Sequence, residues 1–364
     1  MRIRTVVAAL CAAALLAGVA SAAEKKLTAS LKKGTPELKQ AGPIAFAPEG
    51  ILLVGDSLGA AVYAIDTGDR PAKAAEGDLK VEGINEKIAG LLGAEAKQVR
   101  INGLAVNPLS GNAYLSVTRG QGKEALAVLL RVNRSGKIEE VELKEVNFAK
   151  ATLPNPPAEG KNQRQETITS LAYADGKVYV AGLSNEEFSS KLRAIPFPFT
   201  EADKGTSIEI YHASHQKIET NSPIRTFVPY KVNNETNLLA AYTCTPLVRV
   251  PVSDLKPGEK VKGTTIAELG NMNRPLDMIV YQKGGKDYIL MANSARGVMK
   301  VPAEGIDKAK GITEPVKGGG TAGVGYETIK DLKGVEHLAK LDKDHALILV
   351  KKDGSQNLDT IELP

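Results

Sequence analysis

The chain has 364 residues, 43% hydrophobic, 4% aromatic and none tryptophan, with a formal net charge of +5. That length and apolar content allow a sizeable core without cross-links, and two cysteines, Cys11 and Cys244, exclude a disulfide-dense scaffold. Lys and Arg are interspersed with apolar runs rather than gathered in a block, which argues for a solvated surface and against nucleic acid as a partner.

The amino end reads Met1-Arg2-Ile3-Arg4, then an apolar run from Val6 to Val19, then Ala20-Ser21-Ala22. A basic start, a short apolar core and a small-x-small site are the parts of a secretory signal peptide. The run is shorter than the ~20 residues a membrane-spanning helix needs, and no later run is long enough. Residues 1–22 are therefore expected to be a signal peptide and 23–364 the mature domain, periplasmic or secreted, without a membrane span and monomeric. Removing Arg2 and Arg4 leaves a charge of +3, and Cys244 without an intramolecular partner.

From Pro43 onward the chain reads as short strands. An apolar, β-branched run (INGLAV from Ile101, ITSLAY from Ile168, IRTFVP from Ile224, LDMIVY from Leu276) precedes a turn rich in Gly, Asn and Asp. A second run follows, such as ILLVGD, KVYVAG or YILMAN, and then a third, such as VYAID or VMKVPA. Between the first two units, Gly83 to Leu92 carries Ile84, Ile88, Leu91 and Leu92 on one helical face, which predicts a short helix on the outside of the first unit.

The segment Leu238–Pro251 matches Ile289–Pro302 at an offset of 51 residues. Just upstream, NSPIR from Asn221 matches NRPLD from Asn273 at an offset of 52, making Arg225 and Asp277 equivalent. A recurring period of this size predicts a repeat architecture. Three short strands per unit predict an all-β fold, a single β-propeller. First strands near Pro43, Ile101, Ile168, Pro223, Pro275 and Val335 give six blades; a seventh would need a degenerate blade in the long connections. The last unit lacks a fourth strand, and KKLTASLKK near the amino end is expected to supply it. Gly318 to Gly323 satisfies G-x-G-x-x-G but lies between blades, so a loop is expected rather than a dinucleotide turn.

The stretches GDSLGAAVYAID and ANSARGVMKVP resemble the strand-turn-strand core of NHL-type and gluconolactonase-like propellers. The chain also resembles a family of secreted bacterial propellers, which implies no activity. It lacks the Trp-Asp signature of WD repeats and the Trp-rich motifs of quinone-dependent alcohol dehydrogenases. The gluconolactonase-like resemblance implies a cation in the tunnel and a metal-assisted lactonase or esterase-like hydrolase.

In a propeller, the start of each first strand and the turn between second and third strands share one face, where function is sought. This selects Asp56, Asn102, Glu166, Arg225, Asp277 and Asn293 as candidate ligand-binding residues. Asp56, Glu166, Asp277 and Asn293 have the oxygens that calcium takes; equally, Asp56 and Asn293 suit turn capping, and Arg225 with Asp277 an ion pair between blades. His212, His215, Cys244 and Met272 offer copper-type ligands, provided the strand bends, because positions three apart on a strand point oppositely. No G-x-S-x-G elbow is present. The leading expectation is a binding propeller with a polar tunnel mouth for a small molecule, a cation or another exported protein. The alternatives are a calcium-type hydrolase and copper or redox metal handling.

Overall fold

The run Ile51–Asp56 is buried at every position, and Glu235–Tyr242 at every position but its first. A half-exposed strand would alternate; a strand covered on both faces has no reason to. The second strand of a propeller blade is such a strand, sandwiched between neighbouring blades. The computed structural model describes residues 26–244 and 246–364, so the expected signal peptide lies outside the described residues. Among the described residues the strands form six sheets, and no helix is long and apolar enough to cross a membrane.

Blades are numbered here in chain order of their inner strands. Blade I comprises Ile44–Ala47, Ile51–Asp56 and Ala61–Asp66; blade II comprises Val99–Val106, Ala113–Arg119, Leu126–Val132 and Ile138–Glu140. Blade III runs Ser170–Ala174, Lys177–Leu183, Ser190–Pro196, Thr206–His212 and Lys217–Glu219. Blade IV runs Ile224–Val232, Glu235–Tyr242, Pro246–Pro251, Thr264–Leu269 and Thr321–Gly323. Blade V runs Pro275–Lys283, Lys286–Asn293, Gly297–Pro302 and Glu327–Ile329, and blade VI Val335–Lys340, His345–Lys352 and Ser355–Glu362. The glycine-rich segment ends in an outer strand of blade IV, with no helix behind it, as its context predicts.

The blades are not arranged in chain order. Inner strands touch in the ring I, III, IV, V, VI, II and back to I. The apolar clusters agree: Leu115 and Leu130 of blade II pack with Leu347 and Leu349 of blade VI, while Tyr114 and Leu129 pack with Leu52 and Val54 of blade I. Blade II is thus wedged between the last blade and the first.

This changes which strand closes which edge. The amino-terminal strand Lys32–Gly34 does not complete blade VI; it pairs with Val146–Thr152 as the outermost strand of blade I. Blade VI is completed by Lys80–Val81, which pairs with Ser355–Glu362. The reason is burial. Leu79 and Val81 are buried against the last blade, whereas Lys32 and Lys33 are exposed and suit an outer edge. The helix Ile84–Leu92 forms where expected, but it packs on blades VI and II instead of blade I.

One carboxylate docks the chain leaving blade I onto blade II. Asp69 accepts hydrogen bonds from Ser110 Oγ at 2.6 Å, Tyr114 Oη at 2.9 Å and Asn112 Nδ2 at 3.0 Å, and its backbone carbonyl accepts one from Asn107 Nδ2 at 2.7 Å. Burial pushes this carboxyl up, but the bonds from Ser110, Asn112, Tyr114 and Asn107 outweigh it and hold it below its ordinary value. A depressed native value contributes stability above the unfolded value near pH ~3.9 and loses it as pH falls through the native one. Asp69→Ala should cost about 3 kcal/mol in urea unfolding at pH 7, because Ser110, Asn112 and Tyr114 lose their acceptor, and the difference from wild type should shrink below about pH 4. An equal loss at pH 3 and pH 7 would contradict the ionised acceptor.

Candidate functional site at the tunnel mouth

The first strand of a blade lines the axis, so its side chains face the tunnel or the neighbouring blades. In four blades this strand carries a one-residue bulge at the same level. The pairing register skips Asn102 in blade II, Arg225 in blade IV, Leu276 in blade V and Glu336 in blade VI. A bulge leaves its extra residue unpaired and re-aims its side chain. All four skipped residues line one cavity of ≈ 780 Å³ at the tunnel mouth, together with Thr169, which precedes the inner strand of blade III.

The bulge also corrects the sequence alignment. Ile224 pairs with Tyr242 and Pro275 with Asn293, so blades IV and V superpose at an offset of 51 throughout, with no insertion. Arg225 is equivalent to Leu276 rather than Asp277. A one-residue slip sends a strand side chain to the opposite face, and the two expected equivalents lie at different places. The expected Arg225–Asp277 ion pair does not form. Arg225 Nη1 pairs with Glu166, and its Nε donates to Thr243 Oγ1 at 3.0 Å. Asp277 sits on the tunnel wall, accepting from Leu338 N at 3.1 Å with His337 Nδ1 at 3.3 Å.

Two mouth residues went unselected in the sequence. Arg100 and Arg274 stand two positions before the bulges at Asn102 and Leu276, and with Arg225 they line both the main cavity and an adjoining one of ≈ 580 Å³. Their signal was a basic residue two positions before the bulge. Arg100 Nε donates to Asn102 Oδ1 at 2.8 Å. Among the described residues the Arg274 guanidinium has no ion pair or hydrogen bond to a side chain or carbonyl. Desolvation, then the Arg225 charge, pushes Arg274 below its ordinary value, with Glu166 opposing. Lys97, Lys351 and Glu336 complete the charged rim. The mouth is therefore cationic.

The other predicted residues lie elsewhere. Asp56 is fully buried; its oxygens accept from Lys39 N at 2.8 Å and Gly59 N at 2.7 Å. A Cβ at Gly59 would stand 2.3 Å from Asp56 Oδ2, so this turn needs glycine. Asn293 likewise accepts from Ala295 N and Arg296 N and donates to Asn273 Oδ1. Asp56, Glu166 and Asp277 do not come together as a ligand cluster; among the described residues, the His/Cys/Asp/Glu group within ligand reach is His212, His215 and Glu219. The strand does bend at the two histidines, but Cys244 is outside that group and Met272 is 85% exposed.

No protein-family profile and no curated protein matches the chain. Among solved structures, it is similar to the PQQ-bound aldose sugar dehydrogenase of Streptomyces coelicolor, at 11% identity over 91% of this chain and 96% of that one, with a TM-score of 0.29. It is similar to the soluble aldose sugar dehydrogenase of Escherichia coli at 10% identity, over 92% and 99% of the two chains, with a TM-score of 0.30. A glucose dehydrogenase of Thermus thermophilus shows 13% identity, over 91% and 99%, with a TM-score of 0.33. The propeller architecture itself stands on the six sheets described above.

The placement of Asp56 yields a discriminating variant. Asp56→Ala should cost about 2 kcal/mol in urea unfolding, as expected when two backbone donors lose a buried acceptor. Ligand binding at the mouth should be unchanged at protein concentrations where the variant stays folded. A fully stable variant would contradict the capping role.

Proposed function

We propose that the chain is an exported binding propeller whose tunnel mouth takes a small organic anion bearing a carboxylate or phosphate. One observation carries the reading: Arg100, Arg225 and Arg274 line one continuous mouth, and the ion pair with Glu166 serves Arg225 alone. Guanidinium groups bind carboxylate and phosphate with two parallel hydrogen bonds, and the Arg274 fork has no such partner among the described residues. Asn102 and Thr169, lining the same cavity, supply neutral hydrogen bonds for orientation. Crowding Arg274 beside Arg225 is unfavourable, and an anion bound between them would relieve it. Within this reading, GDSLGAAVYAID supports kinship with NHL-type and gluconolactonase-like propellers, and the amino-terminal pattern supports export.

The test is calorimetric titration with citrate, gluconate and inorganic phosphate. At least one anion should bind saturably, more weakly as salt rises. Arg274→Gln should weaken it by about tenfold, the scale of a charge-assisted hydrogen bond, with an unchanged thermal midpoint because Arg274 is exposed. Equal affinity in the variant, or equally tight binding of neutral sugars, would sink the reading. Export has its own check. The intact mass of protein from the periplasm or medium should correspond to cleavage after Ala22 or Ala23, and uncleaved protein confined to the cytoplasm would refute it.

A further inference from the structure

At the rim of blade III, away from the mouth, Thr206–His212 and Lys217–Glu219 form a tight hairpin. His215 N donates to His212 O across the turn, and Gln216 at φ 56° completes the reversal. This fold-back defeats the strand geometry that would have kept the two histidines apart. His212 Nδ1 lies 3.1 Å and His215 Nδ1 2.9 Å from the same oxygen, Glu219 Oε1, and the two ring centroids are 3.8 Å apart with the planes tilted by 36°. Ser222 Oγ holds the second carboxylate oxygen. Although burial pushes Glu219 up, hydrogen bonds from His212, Ser222 and His215 hold it well below the usual carboxylate range.

A second observation concerns the far side of His212. The residue is 1% exposed, and its Nε2 is buried with no hydrogen bond among the described residues, 4.0 Å from Glu268 Oε2 of blade IV. Glu268 is itself buried and accepts from Ala213 N at 2.7 Å and Ser214 Oγ at 3.0 Å. His212 therefore has a carboxylate at each nitrogen. A neutral imidazole carries one N–H, so either tautomer turns a lone pair toward a carboxylate. A cation on Nδ1 removes the conflict: Nε2 then keeps its proton and directs it at Glu268, the carboxylate-behind-histidine arrangement of metal sites.

We propose that His212 Nδ1, His215 Nδ1 and Glu219 Oε1 hold one divalent transition-metal ion of the zinc class, with a fourth position open to solvent beside His215. Two imidazoles and a carboxylate suit zinc and its neighbours rather than calcium, and without a cysteine or methionine the set loses its bias toward copper(I). The ion ties the blade III hairpin to blade IV through Glu268. The exposed Lys217, whose Nζ lies 3.5 Å from Glu219 Oε1, is the cation that competes for the site.

The experiment uses the untagged chain, treated with chelator and dialysed, then titrated with zinc by calorimetry and with cobalt(II) by visible absorption. One zinc per chain is expected, with cobalt bands of a four-coordinate nitrogen–oxygen site and a thermal midpoint that rises with zinc. His215→Ala, an exposed position, should keep the fold and lower zinc affinity by at least about tenfold. Lys217→Ala should raise it, which a merely structural hairpin would not do. Absence of saturable zinc binding, affinity indifferent to His215→Ala, or equal binding of calcium would overturn the proposal.

Discussion

Every inner strand of this ring must pair with its own blade while packing against two neighbours near a crowded axis. A strand that stayed regular to its end would point every second side chain into the tunnel and leave the mouth to its loops. The bulges at Asn102, Arg225, Leu276 and Glu336 relieve that geometry at one level of the ring. Each contributes one unpaired residue to a shared cavity. Those residues sit on hydrogen-bonded inner strands rather than on loops, so the mouth is built on the sheets of the ring. The cationic character of the site follows from which residues occupy these positions and those two before them.

The ring is held by an interleaved chain path. From blade I the chain goes to the outer edge of blade VI, forms the helix Ile84–Leu92, builds blade II, and returns to blade I as Val146–Thr152 before starting blade III. Blade I is thus completed after blade II, and the last blade is completed by a segment made long before it. Leu79 N donates to Thr360 Oγ1, and Thr360 N to Leu79 O, joining positions 281 residues apart. Asp69 works at the first crossing, where a buried carboxylate with four side-chain donors fixes one direction for the departing chain.

The mouth and the hairpin of blade III show the same electrostatic logic with opposite sign. At the mouth, one of three arginines has a carboxylate partner; at the hairpin, two carboxylates flank one buried histidine. Each arrangement leaves charge that a ligand of the other sign would balance, an anion in one and a cation in the other. Asp56 and Asn293 show the contrast. They are buried in their own turns, whose backbone donors satisfy them.

The strands, the helix, the six units and their turns were legible in the sequence because each depends on neighbours within a few residues: apolar runs, turn chemistry and the spacing of Ile84 and Ile88. Asn102, Glu166 and Arg225 were placed at the mouth by position within the repeat alone. What local pattern could not hold was decided by packing between distant segments. The blade order and the closing of blade VI depend on where Leu79 and Val81 find burial. The equivalence of Arg225 with Leu276 depends on a bulge seen only when the partner strand is in place. Glu219 joined His212 and His215 because the hairpin folds back, while Cys244, a better ligand on paper, lies in a different turn. Side-chain type and spacing determined the elements of this propeller; the register and order in which buried surfaces meet determined its site.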